Sequence, residues 1–158
     1  MARVNLSSLA ESPLFKGLKE QEFDYLADFF QVREMDTGKT VFVENMPGEA
    51  LYLIRSGKVK VSMMQHEADE QNLITLHAGD VFGELALIDG SLRVTSARVA
   101  ETVQLYSLSR KNFLKLATEK PRLGIQLTLN IAKILSLRLR QAKKDYRAML
   151  ALLADKDS

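Results

Sequence analysis

Hydrophobic and polar positions change their spacing twice along the chain. Between Lys19 and about Phe30 the apolar residues recur at steps of three and four, which predicts an amphipathic helix. From Gly38 to about Ser109 the chain consists of short β-branched or apolar runs separated by glycine, and after Ser109 the helical spacing returns. This pattern predicts a β region that lies between two helical regions.

The β region contains six runs with the length and composition of strands. They are Thr40–Val43, Leu51–Ile54, Lys58–Met63, Asn72–Leu76, Thr95–Val99 and Val103–Leu108. Turns that contain Gly48, Gly57 and Gly79 separate several of them, and turn formation is a sufficient explanation for these glycines. Strands at such regular spacing favour a closed or double-sheet β architecture over a parallel α/β sheet.

The C-terminal region predicts two helices. Ser109 is the predicted N-cap of the first, and Pro121 ends that helix or starts the next. A second helix from about Pro121 to Leu153 would be ~45 Å long, which is more than a small β domain can cover. A second copy of the same helix is the simplest partner for its apolar stripe, whereas folding back onto the domain is an alternative for the first half only. The stripe comprises Leu127, Ile131, Leu135, Leu139, Ala142, Tyr146, Met149 and Leu153.

Length and composition fit one globular domain. We divide the 158 residues into 1–119, the helical N-terminus and the β region, and 120–158, the long helix of the same domain. The hydrophobic share of 46% and charged share of 27% are ordinary for a soluble protein, and the absence of cysteine excludes disulfides and thiolate chemistry. No apolar run approaches the ~20 residues of a membrane helix, and the N-terminus lacks a signal-peptide core. We therefore expect a cytoplasmic protein that does not bind membranes.

Positive charge is concentrated in the long predicted helix. Residues 120–147 hold eight basic residues and one acidic residue, a balance of +7, which leaves −5 for the rest of a chain whose total is +2. Such a helix can meet nucleic acid, an acidic partner or an anionic surface. The absence of aromatic interleaving and of a recognised DNA-binding motif favours the simpler interpretation, a solvated helix face.

Residues 82–98 carry the clearest functional pattern. They read Phe-Gly-Glu-Leu-Ala-Leu-Ile-Asp-Gly-Ser-Leu-Arg-Val-Thr-Ser-Ala-Arg, with an arginine nine residues after the glutamate. Gly83 lets the backbone approach an anion closely, and the amides that follow open an apolar helical turn. Arg93 can add a forked, charge-assisted contact to phosphate, whereas an ionised Glu84 suits a sugar hydroxyl. The pattern predicts a site that holds a sugar and its phosphate together.

This run resembles the phosphate-binding cassette of cyclic-nucleotide-binding domains of the CRP/FNR (catabolite activator) type, and the resemblance spans roughly residues 20–150. It implies an antiparallel β-roll or jelly roll, a double-stranded β-helix, with N-terminal helices and a long C-terminal helix. It also implies that Glu84 binds the ribose 2′-hydroxyl and that Arg93 binds the cyclic phosphate, with backbone amides completing the cradle. The ligand-binding residues expected from it are Gly83, Glu84, Leu85, Ala86, Arg93, Val94, Thr95 and Ser96.

The choice of base rests on fewer residues. In this family a threonine directly after the arginine favours guanine, and Val94 stands there, so we expect cAMP as the ligand, with cGMP as the alternative. The family often caps the base from the long helix, where Arg138 or Gln141 would contact the base unless both are simply exposed. The hydroxyl of Ser96, like that of Thr95, either donates to the phosphate or belongs to a half-buried strand. A Glu84–Arg93 contact in the empty site would be compatible with ligand binding, because it would keep a partly buried charge paired.

An enzyme and a metal site are both disfavoured. His66 and His77 lie eleven residues apart and do not supply the several histidines of a cupin metal site, and no Ser/His/Asp or Cys/His set is present. We expect no cofactor and a sensor that couples cyclic-nucleotide binding to rearrangement of the C-terminal helix. The alternatives are an interaction module with a vestigial pocket and a fragment of a CRP/FNR-type transcription regulator.

The expected partners follow from the same helix. We expect a homodimer formed through the C-terminal helix, and a downstream protein that the sequence does not identify. Only about five residues follow Leu153, too few for a helix-turn-helix module, so we expect no DNA binding by this chain alone.

Overall fold

An antiparallel sheet forms the centre of the computed structural model, which describes residues 3–66 and 69–156. Within those ranges the sheet has six strands, in the order β1-β6-β3-β4, with β2 paired to β6 and β5 paired to β3. All of these pairings are antiparallel, which confirms the predicted β architecture with flanking helices. The strands are β1 (Phe30–Met35), β2 (Thr40–Phe42), β3 (Ala50–His66), β4 (Asp69–Leu76), β5 (Val81–Phe82) and β6 (Ser96–Ser109).

Two predicted breaks between strands are bulges inside longer strands. The predicted strands 51–54 and 58–63 join in β3, and 95–99 and 103–108 join in β6. The ladder between β3 and β6 shifts its register around Gly57, whose φ of +86° is a left-handed conformation. The predicted turn at residues 55–58 is therefore wrong, because the glycine bends a continuous strand instead of ending it.

The sequence pattern missed two strands. It extended the first helix to Phe30, but the helix ends at Ala27 and β1 begins at Phe30, paired with Leu108 of β6. Half of the residues of β1 are polar, only its first residue is buried, and the alternation begun by Phe30 and Val32 fails at Glu34, so the strand lacks the sustained apolar alternation that would predict it. Strand β5 has two residues, which is too short for any periodicity to be visible.

Four α-helices surround or interrupt the sheet in the described ranges. They are α1 (Glu20–Ala27), α2 (Glu84–Asp89), α3 (Arg110–Glu119) and α4 (Pro121–Lys156). Short 3-10 turns at Ser7–Leu9 and Pro13–Phe15 precede α1. The Ser109 hydroxyl accepts the Asn112 amide at 3.1 Å, which confirms it as the N-cap of α3. No helix in the described part of the chain is both long and apolar enough to cross a bilayer.

Two apolar clusters make up the core, and α2 lies where they meet. One cluster packs the helices against one end of the sheet, and it includes Leu87 of α2. The other fills the interior of the roll, and it includes Phe82, which directly precedes the loop into α2. Phe82 before the loop and Leu87 after it are both buried in the core. The short segment between β5 and α2 is therefore held in place from two sides.

Helix α4 has a buried half and an exposed half. Its first half packs Leu127, Ile131 and Ile134 into the core, and the buried Asn130 side chain donates to the carbonyls of Leu14 at 2.8 Å and Lys16 at 2.9 Å. Beyond residue 135 every described residue is exposed. The whole helix is roughly 54 Å long. The first half has therefore folded onto its own domain, while the division into 1–119 and 120–158 stays a prediction.

We predict that Gly57→Ala lowers the free energy of unfolding by about 2–4 kcal/mol, since the added Cβ would combine left-handed strain with overpacking. The new atom would overlap the Thr102 carbonyl and lie 2.8 Å from Cγ1 of Val103. Gly79→Ala is the matched control, because Gly79 has a φ of +91° but open space around the added atom. Urea denaturation of both variants measures the difference, and equal losses would contradict the proposed clash.

Candidate functional site

The predicted phosphate-binding run forms the segment from β5 through α2 to the start of β6. Gly83, with a φ of +76°, turns the chain from β5 into α2, and Gly90, with a φ of +66°, ends the helix. Leu87 and Ala86 are buried and fix α2 against the core. The sequence therefore folds this segment into a short, rigid helix between two left-handed glycines.

Arg93 is buried immediately after this helix. Its Nη1 donates to the Gly83 carbonyl at 3.1 Å and its Nη2 donates to the Ala50 carbonyl at 2.9 Å. The residue is 5% exposed, and its Nε has no hydrogen-bond partner in the described part of the chain. The guanidinium is thus held by neutral carbonyl oxygens that accept from two of its nitrogens, and its third nitrogen, Nε, has no described acceptor.

Two glycines make room for this guanidinium. A Cβ on Gly48 would overlap the end of the Arg93 side chain, and a Cβ on Gly83 would lie 2.7 Å from Nη1. The backbone of Arg93 is fixed as well, because it donates to the Met46 carbonyl at 2.9 Å and accepts from the Asn45 amide at 2.7 Å. Turn formation is therefore not a sufficient explanation for the glycine at position 48, because the absence of a side chain on Gly48 provides the space for Arg93.

Aromatic rings form the wall behind Arg93. The guanidinium carbon lies 4.1 Å from the ring centroid of Phe42 and 5.8 Å from that of Tyr52, and Phe82 stacks on Tyr52. The Tyr52 hydroxyl accepts a hydrogen bond from Arg33 at 3.1 Å. Burial lowers the pKa of Arg93 from its ordinary value, and the nearby groups of Tyr52 and Glu84 raise it partly back. An arginine remains protonated under such a shift, so the site contains a desolvated cation.

Glu84 is paired with a residue from α4, not with Arg93. Its carboxylate is buried and its Oε1 accepts from Nη1 of Arg138, whose Nη2 donates to the Val81 carbonyl. A Glu84–Arg93 contact, which would have been compatible with ligand binding, is absent from the described hydrogen bonds and ion pairs. Arg138 was predicted to contact the base, and in this structure it contacts Glu84 and Val81. Gln141, the other predicted base contact, is exposed and bonds to Asp145 at 3.0 Å.

The other predicted ligand-binding residues differ in how accessible they are. Val94 and Leu85 are 55% and 37% exposed, whereas Ala86 is buried and Thr95 is half-buried. Ser96 is buried at the start of β6, and its hydroxyl accepts the Glu44 amide at 2.9 Å. The structure therefore brings Gly83, Glu84 and Arg93 together around the start of α2, and it makes Ser96 part of the strand.

A metal centre has no support in the described ranges. No group of three His, Cys, Asp or Glu residues within 3–66 and 69–156 is arranged to hold an ion. His77 is exposed in a turn, where its backbone amide donates to Asp80 at 2.8 Å. The side chain of His66 lies outside the described part of the structure, as do residues 1–2, 67–68 and 157–158.

Comparison with known proteins identifies similar sequences and folds. A family model described as "Cyclic nucleotide-binding domain" matches residues 32–120, which include the whole segment from β5 to the start of β6. The "Cyclic AMP receptor protein" of Thermus thermophilus is 37% identical over 131 residues, which cover 83% of this chain and 59% of that protein. A "cAMP-dependent protein kinase regulatory subunit" of Emericella nidulans is 35% identical over 114 residues, which cover 72% of this chain and 27% of that protein.

A solved structure agrees with the sequence comparison. The "Crystal Structure of Thermus thermophilus Catabolite Activator Protein" superimposes with a TM-score of 0.79 at 36% identity, covering 87% of this chain and 63% of that chain. The fold and the residues of the segment thus point to the same group of proteins. The chain spans about three fifths of the length of these two Thermus proteins.

We predict that Arg93→Met leaves the unfolding free energy of the protein, without added nucleotide, unchanged or raises it by about 1 kcal/mol. Burying a cation that has no carboxylate partner costs more than a thioether of similar volume, even though the carbonyl bonds and the ring contact are lost. Arg98→Met is the control, because Arg98 is exposed and pairs with Glu70 at 3.3 Å. Urea denaturation provides the measurement, and a loss of more than about 1 kcal/mol for Arg93→Met would show that its contacts outweigh desolvation.

Proposed function

The chain belongs to the family of cyclic nucleotide-binding domains, and on this premise we propose that it binds cAMP through Arg93 and Glu84. The observation that carries the proposal is the buried Arg93 guanidinium, which has carbonyl acceptors but no carboxylate partner in the described structure. A phosphate anion supplies the counter-charge that such a cation lacks. We therefore propose the binding site at Glu84 and Arg93, where the residues of the family's pattern include a buried positive charge without a carboxylate partner.

The ribose is assigned to Glu84 for a related reason. The Arg93 guanidinium contacts the carbonyl of Gly83, the residue directly before Glu84, so the two charged groups lie at the same end of α2. A cyclic nucleotide has its phosphate joined to its ribose, which requires an anion site and a hydroxyl site next to each other. An ionised carboxylate is an acceptor for the 2′-hydroxyl and disfavours a phosphate, so it fits the second site.

Adenine is the proposed base. Val94 is 55% exposed beside Arg93, and its side chain has no donor or acceptor for the exocyclic amino group of guanine. Two of the similar proteins carry cAMP in their names. We therefore propose cAMP as the ligand and retain cGMP as the alternative that the binding experiment tests directly.

The proposed role is that of a sensor, with α4 as its output. Glu84 contacts α4 through Arg138, so the ligand site and the helix are joined by a direct contact. A ligand shifts the packing of α4 only if it binds one arrangement of the helix more tightly than another. From α4 the signal passes to a partner or to another part of a longer protein. A vestigial pocket is the less favoured alternative, because a disused site has no need of a buried, unneutralised arginine.

We also propose that α4 pairs with a second copy of itself. Apolar residues in its exposed half alternate at steps of three and four, which is the seam of a two-stranded coiled coil. The residues of this seam are Leu139, Ala142, Tyr146, Met149 and Leu153, and all are exposed in the single chain. Pairing removes this stripe from water, and the same helix in the partner has the matching stripe.

We predict that isothermal titration detects saturable cAMP binding, and that Arg93→Met and Glu84→Gln each weaken it by roughly 10- to 100-fold. Each variant removes a charge-assisted hydrogen bond worth about 1.5–3 kcal/mol. Arg98→Met serves as the control, because the Arg98 side chain is 53% exposed and pairs with Glu70 outside the site. Absence of heat from the unmodified protein with both cAMP and cGMP would overturn the proposed function, and tighter binding of cGMP would overturn the assignment of the base.

We predict that the double substitution Leu139→Glu, Met149→Glu converts a dimer into a monomer. Four carboxylates would then face each other across the paired seam, which a coiled coil does not tolerate. Leu137→Glu is the matched control, because Leu137 is 66% exposed but lies off the seam. Analytical ultracentrifugation measures the mass of each protein, and a monomeric unmodified protein at micromolar concentration would contradict the pairing.

A further inference from the structure

One face of α4 carries four cations and a leucine in a single row. The residues of this row, which we call the basic stripe, are Lys133, Leu137, Arg140, Lys144 and Arg147. Their steps of three, four and seven residues keep them on one side of an α-helix over roughly 21 Å. All five are exposed, and Leu137 is 66% exposed. The stripe is therefore a continuous surface of positive and apolar character.

The basic stripe is separate from the seam proposed for pairing of α4. With about 3.6 residues per turn, the seam residues Ala142 and Tyr146 lie on the side of the helix opposite Lys133. A coiled coil formed through the seam would leave the stripe on the outer surface of each helix. The stripe also makes no described hydrogen bond or ion pair to Glu84 or Arg93. Neither pairing nor the proposed ligand site therefore covers it.

The positive charge of the stripe is not neutralised within the described part of the chain. None of its four cations makes an ion pair or a side-chain hydrogen bond with a described residue. By contrast, Arg122 and Arg138 of the same helix reach the domain, where they pair with Glu22 and Glu84. The unneutralised cations of the stripe are thus those that point away from the domain.

A solvated helix face, which the sequence alone favours, explains the exposure of the stripe but not its composition. Such a face usually carries both signs of charge, whereas the one acidic residue between positions 120 and 154 is Asp145, which accepts from Gln141 at 3.0 Å. Cations one turn apart, such as Arg140 and Lys144, repel each other, and Leu137 exposes apolar area to water. A partner with negative charge and an apolar contact would relieve both effects.

The chemistry of the stripe favours a short acidic protein segment over an extended polyanion. The residues outside 120–147 sum to −5, so they repel duplex nucleic acid or an anionic bilayer, either of which would extend beyond the stripe. A phosphate backbone also offers no apolar contact for Leu137. The stripe is straight and roughly 21 Å long, which is about four turns of a second helix packed beside α4.

We propose that the basic stripe is a docking surface for an acidic amphipathic helix of a partner protein. The carboxylates of that helix face Arg140, Lys144 and Arg147, and one of its apolar residues packs on Leu137. This inference goes beyond the proposed function, because it gives the chemistry of the protein that receives the signal from α4. It does not require that the chain binds cAMP, since the stripe is exposed without a ligand.

Fluorescence anisotropy of a labelled peptide tests this docking surface on the full chain. The probe is a designed helix of about 18 residues, made of glutamate, leucine, alanine and glutamine, with its leucines and half of its glutamates on one face. A peptide of the same composition in shuffled order keeps the charge and removes the face. We expect saturable binding of the amphipathic peptide, and binding of the shuffled peptide at least about fivefold weaker.

Two variants separate the charge of the stripe from its apolar contact. Arg140→Glu, Lys144→Glu should weaken peptide binding by at least about tenfold, and the affinity of the unmodified protein should fall as salt is added. Leu137→Ala should weaken binding by about three- to tenfold without changing the salt dependence. The matched control is Lys111→Glu, Lys115→Glu, which reverses two exposed lysines four residues apart on α3 and should leave binding unchanged.

Several results would overturn the proposal. No saturable binding of the amphipathic peptide would do so directly, and an equal loss of affinity in the Lys111→Glu, Lys115→Glu control would show that the attraction is not specific to the stripe. Loss of peptide binding by Leu139→Ala, Met149→Ala would place the peptide on the seam instead.

Other occupants of the stripe give their own signatures. A short DNA duplex or phosphatidylserine vesicles that bind more tightly than the peptide, with no effect of Leu137→Ala, would overturn the proposal in favour of a polyanion. A lower mass of Arg140→Glu, Lys144→Glu in analytical ultracentrifugation would assign the stripe to a second copy of the chain. The same variant should bind cAMP as the unmodified protein does, so failure of this inference is distinguishable from failure of the proposed function.

Discussion

The burial of the Arg93 guanidinium is the constraint on which the rest of the site depends. A cation removed from water needs acceptors on every side, and here the described structure gives it two backbone carbonyls and the face of Phe42, while its Nε has no acceptor. Gly48 and Gly83 lack the side chains that would fill its place. The fold therefore tolerates an incompletely satisfied charge at the proposed anion site, which is a common relation between stability and function.

The rigid part of the fold supplies the frame for this charge. Strand β3 provides both the Ala50 carbonyl and the ring of Tyr52, and its long ladder with β6 fixes where Arg93 can lie. Helix α2 is anchored by the buried Leu87, so the start of the helix keeps its position relative to the sheet. The groups of the proposed site thus belong to elements whose positions are set by the core, whereas the exposed half of α4 contacts the site through the side chain of Arg138.

Patterns among residues close together in the sequence predicted the parts of the structure that such residues form. The segment from Gly83 to Arg93 was visible because its residues lie within eleven positions, and the long helix was visible from its spacing. Strand β1 was missed because its apolar alternation breaks at Glu34, and the break at Gly57 was misjudged because a left-handed glycine suits a bulge as well as a turn. The pairing of Glu84 with Arg138 joins residues 54 positions apart, and periodicity does not determine where a helix crosses the sheet.

The two halves of α4 give the helix the geometry of a lever. Asn130 and the apolar residues around it attach the first half of the helix to the domain. Ile134 is the last buried residue, so the exposed half can tilt about this position. Residues 135–156 extend roughly 33 Å beyond Ile134, so a tilt of about 10° at that residue would move the far end of the helix by about 6 Å. A displacement too small to disturb the sheet would thus be magnified at the tip, where a neighbouring molecule would meet it.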